Sequence, residues 1–417
     1  MIATAVENTK TALLGDFPSH WQVLRIKNLF QEMDSRSETG SEELLSVSHY
    51  TGVTLKRESL ENEDDHLTNA ESLVGYKLVQ QGDLVINIML AWNGSLGISP
   101  YNGITSPAYC VYRIKGDNNP EYFGYLFSTN LFKAEFRRHS TGIIDSRLRL
   151  YSDNFFSIFT VVPPKDEQDE IVQYIKAQIE KINLFIQKKQ RFIELLKEQK
   201  STIVKSKFSN SNENWKRRKI SHSFKIIGSG TTPESGNSDY YDDGEINWIN
   251  TGDLNDCYLD KCEKRITKLA FEKYSTLKIY PKGTLLIALY GATIGKVSIM
   301  NIEGCTNQAC CALFGSDTFY TEFLFHWFIA NRDILIQMSY GGGQPNISQE
   351  IIRQLRISCP SIEEQKQIVS HIKTETATID TAIAKAEREI ELIREYKEAM
   401  IAEAVMGKRR NSNFEKI

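Results

Sequence analysis

Residues 163–200, PPKDEQDEIVQYIKAQIEKINLFIQKKQRFIELLKEQK, are echoed at 360–397 by PSIEEQKQIVSHIKTETATIDTAIAKAEREIELIREYK, in the same order and without a gap. The offset is 197 positions, so the chain is an internal duplication. Matched pairs include Pro163/Pro360, Gln168/Gln365, Ile175/Ile372, Ile182/Ile379 and Ile193/Ile390, and half of the matches are apolar. In the first copy they fall into two heptad rows, Val172, Ile179, Ile186, Ile193, Lys200 and Ile175, Ile182, Lys189, Leu196, Ile203. These rows are the a/d seam of a coiled coil. The second copy keeps the register, with Val369, Ile383, Ile390 in one row and Ile372, Ile379, Ile393, Met400 in the other. Each seam runs about 40 residues, or roughly 60 Å at 1.5 Å per residue, which suits a strut better than a helix of a compact domain. Antiparallel pairing of the two helices would put the globular segments that precede them at opposite ends. Parallel pairing would put them side by side.

Composition sets bounds on this frame. A chain of 417 residues has room for two to four domains with cores of their own, and the duplication argues for two large ones. A net charge of −3 and a pI near 6.2 do not announce a nucleic-acid binder, so any DNA contact must come from local basic patches or be shared with a partner. Seven cysteines, an odd number, with no signal peptide and no apolar run of membrane-spanning length, point to a reducing cytoplasm and away from the membrane. Cys257, Cys262, Cys305 and Cys310 suggest a four-thiolate zinc site only at first sight. Their four-residue gaps exceed C-x-x-C geometry, and Cys310-Cys311 reads as strand interior. No metal site is expected.

Residues 1 to 14 read as a leader, and the first domain opens at Phe17-Pro18-Ser19-His20-Trp21. The second opens at Asn214-Trp215 after the polar linker Ser209-Asn210-Ser211-Asn212-Glu213. Between each tryptophan and its long helix lie short β-type runs, among them Gly82 to Ile88 in one half and Gly283 to Leu289 in the other. Gly103-Ile104-Thr105-Ser106-Pro107-Ala108 likewise aligns with Gly304-Cys305-Thr306-Asn307-Gln308-Ala309. Each half then predicts an aromatic helix, Tyr122 to Phe136 and Phe319 to Met338. The globular halves match poorly while the helices match cleanly, which suggests one task performed on two different targets.

Catalytic motifs are missing. There is no N-P-P-[YF] tetrapeptide for amino methylation of a flipped base, no H-E-x-x-H and no G-x-S-x-G elbow, and Asn118-Asn119-Pro120 is followed by Glu121. Gly291-Ala292-Thr293-Ile294-Gly295-Lys296 is one residue short of a phosphate loop and ends in Val297 where a magnesium-binding hydroxyl belongs, so it reads as a glycine-bearing strand-turn-strand. The histidines are scattered without carboxylates at triad or metal spacing.

Two variable β-rich segments, two matched long helices and no catalytic motif together resemble the specificity subunit of type I restriction-modification enzymes. The resemblance covers essentially the whole chain. Its most specific signals are Ile227-Gly228-Ser229-Gly230-Thr231-Thr232-Pro233 with Gly244 to Ile249 and Thr251-Gly252-Asp253, similar to the opening of a target recognition domain. Gly342-Gly343-Gln344-Pro345-Asn346-Ile347-Ser348, then Cys359-Pro360 and Glu363-Glu364-Gln365-Lys366-Gln367-Ile368, is similar to the family's exit into its conserved helix. The first half shows the exit as Val162-Pro163-Pro164 with Glu167-Gln168 and Ile171, but lacks the Gly-Thr-Thr-Pro opening and carries Thr141-Gly142-Ile143-Ile144 where the second has its Gln-Pro-Asn loop.

The fold this implies is α+β, with two β-rich target recognition domains, each followed by a long helix, the helices pairing as an antiparallel coiled coil. The expected boundaries are 1–164 and 208–360 for the domains, 165–207 and 361–406 for the helices, and 407–417 for a tail. The resemblance implies a cytoplasmic, non-catalytic subunit without a cofactor of its own. Its partners would be double-stranded DNA, two methylation subunits that use S-adenosylmethionine on adenine, and two restriction subunits with translocase and nuclease activity. Each domain would read one half-site through side chains that reach base edges, while Lys and Arg neutralise phosphates. Candidate DNA-binding residues are Lys56, Arg57, Arg137, Arg138, Arg147 and Arg149 in the first domain. In the second they are Thr231, Thr232, Lys264, Arg265, Lys268, Tyr290, Lys296, Gln344 and Asn346. The expected helix-pairing residues are Val172, Ile175, Ile179, Ile182, Ile186, Ile193, Leu196, Val369, Ile372, Ile379, Ile383, Ile390 and Ile393. The basic run Lys216-Arg217-Arg218-Lys219 reads equally as a solvated strand start facing a partner. The rival reading is a non-DNA adaptor that joins two protein-binding modules through the coiled coil, and a fused methyltransferase or nuclease finds neither motif nor room.

Overall fold

The computed structural model describes residues 16–49, 51–56, 72–144, 147–209, 215–291, 293–339 and 346–408. The chain forms two compact units, one from Met1–Lys188 with Glu389–Ile417 and the other from Lys189–Arg388. Each long helix therefore gives its first part to one unit and its remainder to the other.

In the first unit, β1 (Phe30–Met33), β2 (Leu84–Asn87), β3 (Leu96–Ile98) and β4 (Tyr109–Ile114) form a sheet in the order β1-β4-β2-β3. All neighbours are antiparallel. The run Leu84-Val85-Ile86 is buried because the strand is covered on both faces. Leu84, Ile86 and Tyr112 face an aromatic core with Phe123, Phe127 and Phe136, whereas Val85 and Val111 face Leu45, Val47, Val53 and Leu55 of the hairpin 45–48/52–55.

The helical face is α1 (Pro120–Ser128) and α2 (Asn130–His139). The single aromatic helix expected from Tyr122 to Phe136 is thus broken. Thr129 leaves helical backbone at ψ 154°, and its hydroxyl accepts from the Phe132 N–H, so a residue inside the apolar run acts as a cap.

Among the described residues the second unit repeats this plan with one strand more. Its strands β5 (Ile226–Gly228), β6 (Cys257–Leu259), β7 (Leu285–Ala288), β8 (Val297–Met300) and β9 (Cys310–Phe314) lie in the order β5-β9-β7-β8-β6. The expected helix from Phe319 to Met338 is again two, here Thr321–Ala330 and Arg332–Gln337, parted at Asn331.

The long helices are α3 (Lys165–Ser209) and α6 (Ile362–Val405), where α4 and α5 denote the two short helices just given. Within the second unit the pairing is antiparallel: as α3 advances from Lys200 to Lys207, its ion-pair partner on α6 retreats from Asp380 (2.5 Å) to Glu375 (2.6 Å). Within the first unit, Ile171, Val172 and Ile175 at the start of α3 share a core with Met400, Ala404 and Val405 at the end of α6. Val172, Ile175, Ile182, Ile193, Val369, Ile372, Ile379 and Ile390 are buried, and Ile179, Ile186, Leu196, Ile383 and Ile393 are half-buried. Thr376 and Ala386, which an apolar tally passes over, complete the 3-4 spacing of buried positions on α6.

A buried glutamine starts each long helix and locks it to its unit. Gln168 accepts from the Asn119 N–H (2.8 Å) and donates to Pro163 O (2.9 Å) and Asn118 Oδ1 (3.0 Å). Gln365 accepts from the Tyr320 N–H (2.8 Å) and donates to Thr318 O (2.9 Å) and Pro360 O (3.0 Å). Truncating either leaves three largely part-buried polar groups without their partner, at about 1 kcal/mol each. Gln365→Ala is therefore expected to destabilise the chain by roughly 3 kcal/mol, read as a lowered urea midpoint with unchanged slope, against less than about 0.5 kcal/mol for the exposed Gln367→Ala.

Candidate nucleic-acid interface

Within each sheet, antiparallel order gathers loops at one end. In the second unit β5 and β7 run out where β9 and β8 begin, since Gly228 pairs with Ala312, Ala288 with Cys310 and Ile287 with Val297. That end collects the segments 229–232, 289–296, 307–309 and 346–349. Gly230 is held against Thr306, whose carbonyl oxygen lies 1.8 Å from where a Cβ would stand, so only glycine fits. The loop that follows is pinned by Thr232 Oγ1 donating to Gln308 Oε1 (2.7 Å) and by Trp248 Nε1 donating to Thr231 O (3.1 Å). Tyr290 and Asn346 pair in an antiparallel bridge, and the next residue ties down that loop, with Ile347 N donating to Leu289 O (2.7 Å). Lys296 closes the 289–296 turn and reaches Asn255 Oδ1 (3.3 Å).

The structure thus gathers Thr231, Thr232, Tyr290, Lys296 and Asn346, together with Gln308 and Gln349, which sequence reasoning missed. Ser229 Oγ donates to Gln349 Oε1 (2.8 Å) across the same edge. Lys264 and Arg265 are exposed at and beside the short strand Arg265–Ile266, which pairs with Asn247 and Ile246. Lys268 begins a separate short helix and faces Glu245 at 3.1 Å. Gln344 lies outside the described residues.

The first unit builds the same end from different side chains. Leu150 N donates to Ile88 O (3.0 Å), the counterpart of the Ile347–Leu289 bond, and this makes Arg149 the topological equivalent of Asn346. The stretch from Thr141 to Arg149, closed by an antiparallel bridge between those two residues, takes the place of the Gln-Pro-Asn loop and leaves Ile143 99% exposed. Arg137 stacks its guanidinium over Trp92 at 5.4 Å, on the turn that joins β2 to β3. Arg147 is exposed in the same loop as Arg149. Arg138, by contrast, is bound to Glu135 at 2.5 Å. Lys56 stands beyond the hairpin, with its backbone N–H on Leu44 O, and Arg57 lies outside the described residues.

Other candidate chemistry takes ordinary structural roles. Gly291 to Lys296 is the turn between β7 and β8, with Gly291 and Gly295 at positive φ. All seven cysteines are free thiols. Cys305 Sγ donates to Asn247 O (3.4 Å) and Cys262 Sγ to Lys264 O (3.2 Å), while burial pushes the Cys305 and Cys311 thiols up to about 12. A thiol held neutral in this way is a poor metal ligand. Among the described residues no three His, Cys, Asp or Glu come together as a metal set, and no helix is long and apolar enough to cross a membrane. The basic run 216–219 forms an exposed strand paired with Arg356–Cys359, the strand that leads into α6.

Comparison with known proteins follows the same lines. The type I restriction modification DNA specificity domain family matches residues 212–392. The specificity subunit of the Escherichia coli type I restriction enzyme EcoR124I/EcoR124II is 25% identical over 169 residues, covering 39% of this chain and 41% of that subunit. The MjaVIII specificity subunit of Methanocaldococcus jannaschii is 24% identical over 437 aligned positions, 95% of either chain. A solved structure described as showing complex assembly and conformational transition of the type I R-M system shares the fold. It has a TM-score of 0.63 and 15% identity, over 94% of this chain and all of that one. The duplicated sheet, the repeated glutamine lock and the antiparallel helices accompany a likeness that spans nearly the whole chain: it is similar in sequence and in fold to the specificity subunits of type I restriction-modification enzymes.

Proposed function

We propose that the chain reads a bipartite, asymmetric DNA site, one half-site per unit, with an unread spacer between, and that it scaffolds methylation and restriction subunits. The domain limits proposed are 1–164 and 208–360, with helices 165–207 and 361–406 between and after them. The observation that carries this reading is the pair of sheet ends. One frame, bond for bond, presents Trp92, Arg137, Arg147 and Arg149 in the first unit and Thr231, Thr232, Tyr290, Lys296, Gln308 and Asn346 in the second. Arginine suits guanine edges and phosphates, whereas an amide such as that of Asn346 suits adenine. Two surfaces of such different chemistry would select different bases.

Salt distinguishes this from the adaptor reading. A complex that neutralises about five phosphates loses about 500-fold in affinity for random duplex between about 50 and 200 mM salt. The chain bound to its methylation subunits is expected to show such a slope, and Arg137→Ala with Arg149→Ala to flatten it by about two ion equivalents. A salt-independent complex, or none, would favour the adaptor.

A further inference from the structure

The hairpins β2–β3 and β7–β8 match bond for bond at an offset of 201. Gly82 N to Ser99 O (2.8 Å), Ser99 N to Asp83 O (2.8 Å) and Asn87 N to Ser95 O (3.0 Å) recur as Gly283 N to Met300 O (2.7 Å), Met300 N to Thr284 O (2.9 Å) and Ala288 N to Lys296 O (2.9 Å). Ile98 is therefore the counterpart of Ile299. Because hydrogen-bonded and non-hydrogen-bonded pairs alternate along an antiparallel ladder, both residues turn their N–H and C=O away from the hairpin.

In the second unit that edge is filled. β6 lies parallel to β8 with Tyr258 opposite Ile299. In the first unit β3 ends the sheet among the described residues, and a cavity of about 930 Å³ runs along it.

The walls of the cavity repeat the contacts that hold β6. In the second unit Glu322 pairs with Lys373 at 2.7 Å and accepts the hydroxyls of Tyr258 and, at 3.0 Å, Tyr320. Burial pushes this carboxyl up, but the hydrogen bonds from Lys373 and the tyrosines outweigh it and hold Glu322 below the usual range. The first unit keeps the pair as Glu121 and Lys176, both lining the cavity.

Ahead of β6, Asp256 takes the guanidinium of Arg332, whose Nε donates to Gly295 O (3.0 Å). In the first unit Lys133 lies over Gly94, the counterpart of Gly295, and its ammonium has no carboxylate among the described residues. Lys397 also lines the wall.

We propose that the outer edge of β3 is a docking slot for an extended segment of a partner polypeptide. The segment runs parallel to β3, sets a carboxylate on Lys133 and places a tyrosine hydroxyl on Glu121. Strand addition of this kind takes affinity from main-chain bonds and specificity from side chains that enter flanking pockets. The second unit's own strand serves as the template for the occupant.

The probe is a fluorescein-labelled peptide of residues Asp253–Lys261 with Cys257→Ser, titrated with the full chain and followed by anisotropy. Saturable one-to-one binding is expected, weakened about tenfold by Tyr258→Phe in the peptide. Ile98→Pro in the chain removes the outward N–H at a position where an edge strand tolerates proline, and should abolish binding. Because the Ile98 side chain also packs on Gly124, a second variant guards against misfolding. Lys133→Glu should weaken the peptide at least tenfold, and Asp256→Lys in the peptide should restore it. The proposal is overturned if no saturable binding occurs up to about 1 mM, or if binding ignores both Ile98→Pro and Lys133→Glu. It is equally overturned if the Ile98 amide is already protected from exchange in the isolated chain, since a segment of the chain itself would then hold the edge.

Discussion

Deleting residues 186–192 from α3 together with 386–392 from α6 is expected to abolish methylation of the original site. Removing one heptad from each partner keeps the a/d register and shortens each helix by about 10 Å. If the helices set the distance between half-sites, the protein then fits a spacer shorter by roughly three base pairs at ~3.4 Å each. DNA turns by more than about a quarter of a revolution over that length, so the second half-site also presents a different face. Activity on the original spacer should fall at least 100-fold in a methylation assay, with or without a gain on a spacer shortened by three. Undiminished methylation of the original site would show that the helices do not set the distance.

A second large effect is expected from Tyr290→Ala combined with Asn346→Ala. The two residues face each other across one bridge at the sheet end, and a good base contact contributes about 1–3 kcal/mol of discrimination. The double variant should bind its site roughly 100-fold more weakly. It should also cease to distinguish the intact second half-site from a scrambled one, while still rejecting a scrambled first half-site. Arg138→Ala and Lys268→Ala serve as controls. Their side chains are engaged by Glu135 and Glu245, and binding should change less than about threefold. Equal losses at both half-sites from Tyr290→Ala with Asn346→Ala would count against separate reading.

The parts of the fold legible in the sequence are those with a long or strict period. The α3 and α6 seams repeat over many turns, so a few polar interruptions such as Lys189 and Thr376 do not hide them. The runs 82–88 and 283–289 stand out because a strand covered on both faces is continuously apolar and is bounded by glycines at positive φ, Gly82 and Gly283. The breaks at Thr129 and Asn331 were not legible. A capping threonine inside Phe127-Ser128-Thr129-Asn130-Leu131-Phe132 differs from a helical one only by its backbone angles. Nor was the sheet end. Tyr290 and Asn346 are distant in sequence, and only the bridge between them and the bond from Ile347 N to Leu289 O make them neighbours. The same topology shows Arg149 to be the counterpart of Asn346, an equivalence that Thr141-Gly142-Ile143-Ile144 conceals in any alignment by residue type. Single basic residues carried the weakest signal, because exposure alone does not separate Arg137 over Trp92 from Arg138 bound to Glu135.

The most direct measurement of the central claim, that each unit reads its own half-site, is methylation-sensitive sequencing of DNA from cells that carry the methylation subunits with a domain-exchanged chain. Residues 215–359, which hold the second sheet end, would be replaced by the corresponding stretch of a specificity subunit similar to this chain, leaving both long helices intact. The expected result is a methylated motif in which one half-site is new while the other half-site and the spacer length are unchanged. A motif altered in both halves, or altered in neither, would contradict the account.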